Sequence, residues 1–285
     1  MENKTVVTNG WADYELLDSG NSEKLERFGS FVVRRPDPQA LWRKQLAGEK
    51  WNNADAYFDK QWKGRKNIPE SWKIEADGLR FVLKLSTFKH IGIFPEQKEN
   101  WVWIEEKTKS AGRPLSVLNL FGYTGGATLA VLKAGGEVVH VDGSKTAITW
   151  AKENATLSGL EDKPVRWILD DALAFVKREI KRGNHYDALI MDPPAFGHGP
   201  EGEVWKIEEN FLEIIDILPQ LLSQNPSFIL INGYASGYSH EAYNNSLSPL
   251  VSTYGGTLKT GELAISESVS GRLLPAGIFA RWSKN

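Results

Sequence analysis

The sequence predicts an α/β protein, with a mostly parallel sheet covered by helices in the second part of the chain and a smaller β-rich region before it. Three observations carry this. Short apolar runs at 116–121, 137–141, 165–169, 186–191 and 227–232 have the length of strands buried on both faces. Helical stretches at about 125–134, 144–157, 171–182 and 207–223 separate them, and strand–helix–strand alternation implies right-handed crossovers. The first third is instead irregular and Trp-rich, with turn signals at Asp18-Ser19-Gly20, Phe28-Gly29 and Asp77-Gly78. There Leu79, Phe81, Leu83 and Leu85 alternate with Arg80, Val82 and Lys84, the period of a half-buried strand. The segment Lys107-Thr108-Lys109-Ser110-Ala111-Gly112-Arg113-Pro114 reads as a linker, giving a Trp-rich domain at 1–110 and the sheet-and-helix domain at 111–285.

Composition narrows the function. A chain of 285 residues with 41% hydrophobic and 25% charged residues can bury a full core. Lys4 is followed mostly by polar residues, and no window holds the ~20 apolar residues of a membrane helix. We therefore expect a cytoplasmic protein without membrane contact. The absence of cysteine excludes disulfides, Cys-ligated zinc, iron–sulfur clusters and a thiolate nucleophile. The five histidines form no i, i+4 pair, so no metal site is expected.

The net charge of −2 is unevenly spread. Between Lys24 and Lys73, twelve Lys/Arg (Lys24, Arg27, Arg34, Arg35, Arg43, Lys44, Lys50, Lys60, Lys63, Arg65, Lys66, Lys73) face six Asp/Glu. The same window holds Trp42, Trp51, Trp62 and Trp72. Cations interleaved with aromatics suit a backbone-and-stacking contact with nucleic acid. The preferred reading is plainer: the tryptophans build a core and the charges form its solvated rim, because a phosphate-binding surface usually raises the overall charge as well.

A ligand of such a sheet sits at the carboxyl ends of its strands. Strand 116–121 runs into Gly122-Tyr123-Thr124-Gly125-Gly126, whose Gly-x-x-Gly-Gly spacing differs from the Gly-x-Gly-x-x-Gly of a dinucleotide loop. The second strand ends in Asp142, placed to accept both hydroxyls of a ribose, and Ser144 is a reasonable cap for the next helix. The third ends in Asp170-Asp171; Asp171 can accept from an adenine amine, whereas Asp170 reads better as a cap or turn. The fourth leads into Asp192-Pro193-Pro194-Ala195-Phe196.

At these residues the chain resembles class I S-adenosylmethionine-dependent methyltransferases, and within them the bacterial 23S ribosomal RNA family that includes cytosine-C5 and guanine-N7 enzymes. The resemblance rests on Asn119-Leu120-Phe121-Gly122-Tyr123-Thr124-Gly125-Gly126, Val141-Asp142-Gly143-Ser144, Asp171-Ala172 and Met191-Asp192-Pro193-Pro194-Ala195-Phe196. Gly271 to Trp282 is similar to the closing strand of one branch, and Lys89 to Gln97 to a stretch that crosses the cofactor. It implies a seven-stranded Rossmann-like domain, an RNA substrate, and S-adenosylmethionine held by Phe94, Gln97, Asn119, Phe121, Gly122, Tyr123, Thr124, Gly125, Asp142, Ser144, Asp171 and Asp192. Asp192, Pro193 and Phe196 take the catalytic places.

An exocyclic amine on a base is a poor nucleophile because its lone pair is delocalised. The Asp192 carboxylate and Pro193 carbonyl could accept its N–H bonds, and Phe196 offers a stacking face. A ring nitrogen such as guanine N7 would need only positioning. Carbon methylation at cytosine C5 requires a cysteine this chain lacks, so that activity is not carried over. A methyltransferase for a small molecule or protein side chain is the alternative, and an NAD(P)-dependent oxidoreductase a distant third.

Overall fold

The structure, a computed structural model, describes residues 5–64, 68–234 and 237–284. Lys4, Arg65 and Lys66, named above, lie outside them. The chain forms two compact units: Thr5–Glu99 with Leu263–Ala276, and Asn100–Glu262 with the stretch from Gly277 onward.

In the first unit, β1 (Thr5–Thr8) is followed by a sheet of five strands: β2 (Tyr14–Gly20), β3 (Glu23–Phe28), β4 (Phe31–Pro36), β5 (Ala56–Asp59) and β6 (Gln61–Gly64). The short helix α1 (Gly48–Asn52) precedes β5, and β7 (Ser71–Ala76) pairs with β8 (Leu79–Lys84). Asp77 and Gly78, both at positive φ, make the predicted two-residue turn between them. The first turn lies one step beyond its predicted place. Asn21 and Ser22 have positive φ, while Asp18-Ser19-Gly20 complete β2. Asp18 reads as a turn residue because it is polar, yet it is fully buried. Its carboxylate accepts from the Gln45 and Leu46 amides and the Trp51 indole.

The four tryptophans of the basic window serve the unit itself. Trp51 and Trp72 are buried, and the indole N–H groups of Trp42, Trp51, Trp62 and Trp72 donate to Ser19, Asp18, Phe88 and Phe28. Six of the cations are ion-paired within the unit: Lys24 with Asp37, Arg27 with Glu15, Arg34 and Lys44 with Glu23, Arg35 with Glu26, and Lys63 with Asp59.

The second unit opens on α2 (Lys98–Ser110), so Lys107–Ser110 is the last turn of a helix rather than a linker. Trp101 and Ile104, buried on α2, anchor that helix in the core. Then follow β9 (Ser116–Leu120), α3 (Gly126–Lys133), β10 (Glu137–Asp142), α4 (Lys145–Leu157), β11 (Val165–Leu169), α5 (Ala172–Arg182) and β12 (Ala188–Met191). A small hairpin, β13 (Phe196–His198) with β14 (Val204–Lys206), precedes α6 (Ile207–Ile217), β15 (Phe228–Gly233) and α7 (His240–Tyr254). Pro219, which has no N–H, stops α6 short of the predicted residue 223; a 3-10 turn completes it. The last strands are β16 (Thr257–Ser266) and β17 (Leu273–Ser283).

The large sheet has the order β1-β16-β17-β15-β12-β9-β10-β11, one strand more than the seven expected. From β15 to β11 all neighbours are parallel; β17 runs antiparallel to β15. β12 and β15 are wholly buried, as their apolar runs predict. β11 is not: it is the edge strand, and Leu169 is exposed.

Candidate functional site

The chain runs outward from β9 through β10 to β11, then returns to β12 on the other side of β9. That reversal opens a crevice at the carboxyl ends of β9 and β12, where doubly wound sheets bind ligands. The glycine loop ends β9 and Asp192 follows β12.

The loop is conformationally costly and firmly held. Phe121 and Tyr123 take positive φ (56° and 48°), as does Gly125 (91°) at the N-cap of α3. Gly122 N–H donates to Val141 O, and Tyr123 N–H to Asp142 Oδ2 at 2.8 Å. The other Asp142 oxygen accepts from Ser144 N–H at 2.8 Å. Each carboxylate oxygen keeps a lone pair, which fits the two hydroxyls of a ribose. Burial raises the Asp142 pKa against the lowering effect of these two amides.

Two of the glycines have a local reason. A Cβ on Gly122 would collide with the His140 ring, and one on Gly126 would come within 2.5 Å of Trp101. His140 is fully buried and pushed down to about 3, hence neutral. Its Nδ1 lies 2.9 Å from Thr128 Oγ1, which accepts from Asn119 Nδ2 at 2.8 Å. The Asn119 amide is thus engaged with Thr128 beneath the loop. Gly122→Ala is expected to lower folding stability by about 1–3 kcal/mol through overpacking. Denaturant melts check this; an unchanged midpoint would show that the His140 ring can move aside.

The other predicted residues fall as follows. Phe121 packs on Trp205 with centroids 4.7 Å apart, and buried Thr124 accepts through its carbonyl from Asn154. Ser144 caps α4 by accepting from Ala147 N–H. Of the two aspartates after β11, Asp171 is the N-cap of α5, accepting through Oδ1 from Ala174 N–H, the capping place the sequence suggested for Asp170, which instead pairs with Arg178. Phe94 and Gln97 belong to the first unit, where Gln97 N–H donates to Phe94 O around a 3-10 turn.

Asp192 stands apart. Burial pushes its pKa up to about 7, and among the described residues no ion pair or hydrogen bond to its carboxylate lowers it again. Pro193 is buried, and the Pro194 carbonyl is fixed by the Trp205 indole at 2.7 Å. Phe196 is 56% exposed, with His198 edge-on at 4.9 Å. The hairpin it begins reaches the ends of β10 and β11. A Cβ on Gly143 would lie 2.8 Å from His198 O, and one on Gly199 would lie 3.1 Å from Asp171 Cβ. His140, Trp205, Asn232 and Tyr243 escaped the sequence reading. Only Asn232-Gly233 carried a signal, a polar residue and glycine at a strand end, as at Asp142-Gly143.

This strand order and crevice define a Rossmann-like α/β fold. The family model for S-adenosylmethionine-dependent methyltransferases matches residues 54–240, and the chain belongs to that family. The oxidoreductase reading is thereby set aside. The solved S-adenosylmethionine-dependent methyltransferase of Agrobacterium tumefaciens is 39% identical, with a TM-score of 0.95 over 100% of this chain and 95% of that one. Ribosomal RNA large subunit methyltransferase K/L of Shewanella frigidimarina is 32% identical over 55% of this chain and 22% of its own length. Ribosomal RNA large subunit methyltransferase I of Aeromonas salmonicida is 30% identical over 59% of this chain and 41% of its own. The chain thus spans less than half the length of the two ribosomal RNA enzymes. No helix among the described residues is long and apolar enough to cross a membrane.

Proposed function

We propose that this chain methylates a nucleobase nitrogen in ribosomal RNA, in the cytoplasm. The observation that carries the reading is Asp192: a half-buried carboxylate with no hydrogen-bond partner among the described residues, following β12 in an Asp-Pro-Pro turn beside an exposed phenylalanine. Two relatives named as ribosomal RNA methyltransferases support the choice of acceptor.

S-adenosylmethionine would supply a methyl group on a sulfonium. Asp142 would hold its ribose, Asp171 its adenine amine, and the Phe121–Gly125 loop, floored by His140 and Asn119, its remaining polar edge. Asp192 and the Pro193 carbonyl would accept the N–H groups of the acceptor amine and localise its lone pair, which helps only as the new bond forms. The stiff prolines hold that geometry, a contribution from orientation rather than from strong binding.

The test is transfer of labelled methyl groups to ribosomal RNA from cells lacking the gene, followed by mass spectrometry of the nucleosides. One methylated nucleoside absent from those cells is expected. Labelling of small molecules or protein without RNA would overturn the reading. It would favour the second one, for which the internal ion-pairing of the basic window speaks. In the same assay Phe196→Ala is expected to weaken the acceptor by about 1–3 kcal/mol, seen in KM, with methyl-donor affinity unchanged.

A further inference from the structure

A buried relay of amides ends beside Asp192. Arg281 of β17 donates from Nε and Nη2 to Oδ1 of Asn100 in α2, at 2.9 and 2.6 Å. A guanidinium only donates, so this amide has one orientation: oxygen toward Arg281, nitrogen away. That nitrogen donates to Asn232 Oδ1 at 2.7 Å, which fixes the second amide in turn. The Asn232 Nδ2 group is left at the end of the relay, and among the described residues no acceptor takes its hydrogens. Both asparagines are buried, Asn100 completely and Asn232 to 3% exposure. The Nδ2 group itself is not among the sealed, unpartnered atoms of the interior, so it opens to the carboxyl edge of the sheet as an oriented donor that a ligand's acceptor can take.

Its place in the sheet says which ligand. β12 and β15 are parallel neighbours with Met191 opposite Ile231, so Asp192 and Asn232 are the next residues on adjoining strands at the carboxyl edge. Tyr243 links them: its hydroxyl donates to the Asn232 carbonyl at 3.3 Å, and burial, with the Asp192 charge adding to it, raises its pKa.

We propose that Asp192 and Asn232 read the acceptor base together, a hydrogen-bond acceptor beside a donor, and that the substrate class is a base with an –N=C–NH2 edge on its Watson–Crick face: adenine at N1 and N6, or cytosine at N3 and N4. This rests on the nucleobase reading above and sharpens it. The exocyclic amine donates to Asp192 while the ring nitrogen accepts from Asn232. Uracil and hypoxanthine present the reverse, a carbonyl facing the carboxylate and an N–H facing the amide. In the transfer, the amine lone pair forms the N–CH3 bond, the sulfonium S–CH3 bond breaks with its electrons left on sulfur, and the displaced amine proton passes to Asp192. The methylated atom is therefore the exocyclic nitrogen.

The full chain, saturated with S-adenosylhomocysteine, is titrated with fluorescent RNA dodecamers of adenosine, cytidine, uridine or inosine. The adenosine or the cytidine oligomer is expected to bind at least about tenfold tighter than those of uridine and inosine. Asn232→Asp keeps the shape and the oxygen that Asn100 needs, but turns the free donor into an acceptor. It should abolish the preference and leave S-adenosylhomocysteine affinity unchanged. Arg281→Leu, which frees both amides to flip, should also abolish it, and it carries the test if Asn232→Asp does not fold. Equal binding of all four oligomers, or a preference that survives both variants, overturns the pairing while leaving the nucleobase reading intact. No binding of any oligomer by the folded, loaded protein overturns both.

Discussion

Asp192→Ala is expected to lower turnover about 10²-fold or more while changing the affinity for S-adenosylmethionine little, because the carboxylate acts chiefly in the transition state. In the proposed site the donor's ribose and adenine would be held by residues after β10 and β11, which lie on the other side of β9 from β12. The pH profile offers a second view. Burial raises the Asp192 pKa to about 7, so the accepting, ionised form predominates only above that value. The rate should fall as pH drops through about 7, and Asp192→Ala should flatten that limb. Full activity in Asp192→Ala would reduce the Asp-Pro-Pro segment to a structural turn.

Asp142→Ala should weaken S-adenosylmethionine by roughly 1.5–3 kcal/mol, measured by calorimetric titration. The geometry adds a second effect. Asp142 also receives the Tyr123 and Ser144 amides, so its loss releases two N–H groups and the strained loop they hold. Asp142→Asn separates the contributions: one oxygen remains for one amide, but the charge is gone. An unaltered affinity in both variants would show that the ribose is held elsewhere.

The helices and strands from Ser116 to Gly233 were legible because each is a local pattern: an apolar run, a glycine at a turn, a cap. What escaped depends on partners far away in sequence. Nothing near Lys107 reveals that its helix belongs with the sheet; that follows from Trp101 packing against Gly126. Asp170 and Asp171 are equivalent as text, and only the direction of the chain decides which meets Ala174 and which meets Arg178. At the site, the aspartates were conspicuous because three successive strands, β10, β11 and β12, each run into one. Asn119 reads as a cofactor residue, and its amide also meets the Thr128 hydroxyl on the next helix, a partner the strand itself does not announce. Asn232 gains its meaning from Asn100 and Arg281, 132 residues back and 49 residues on, a relation no window of sequence displays.

Arg272 lies near the end of the chain yet belongs to the first unit. Its guanidinium meets Asp18 and Glu267 and the carbonyls of Ser19 and Arg43. During synthesis, residues 5–99 emerge first but cannot be finished until Leu263–Ala276 has been made. Until then Asp18, fully buried in the completed unit, lacks its cation, and closing that contact spans 254 residues. Both units thus wait for late segments, Leu263–Ala276 for the first and the stretch from Gly277 onward for the second, a topology that favours slow, late consolidation over folding in step with translation.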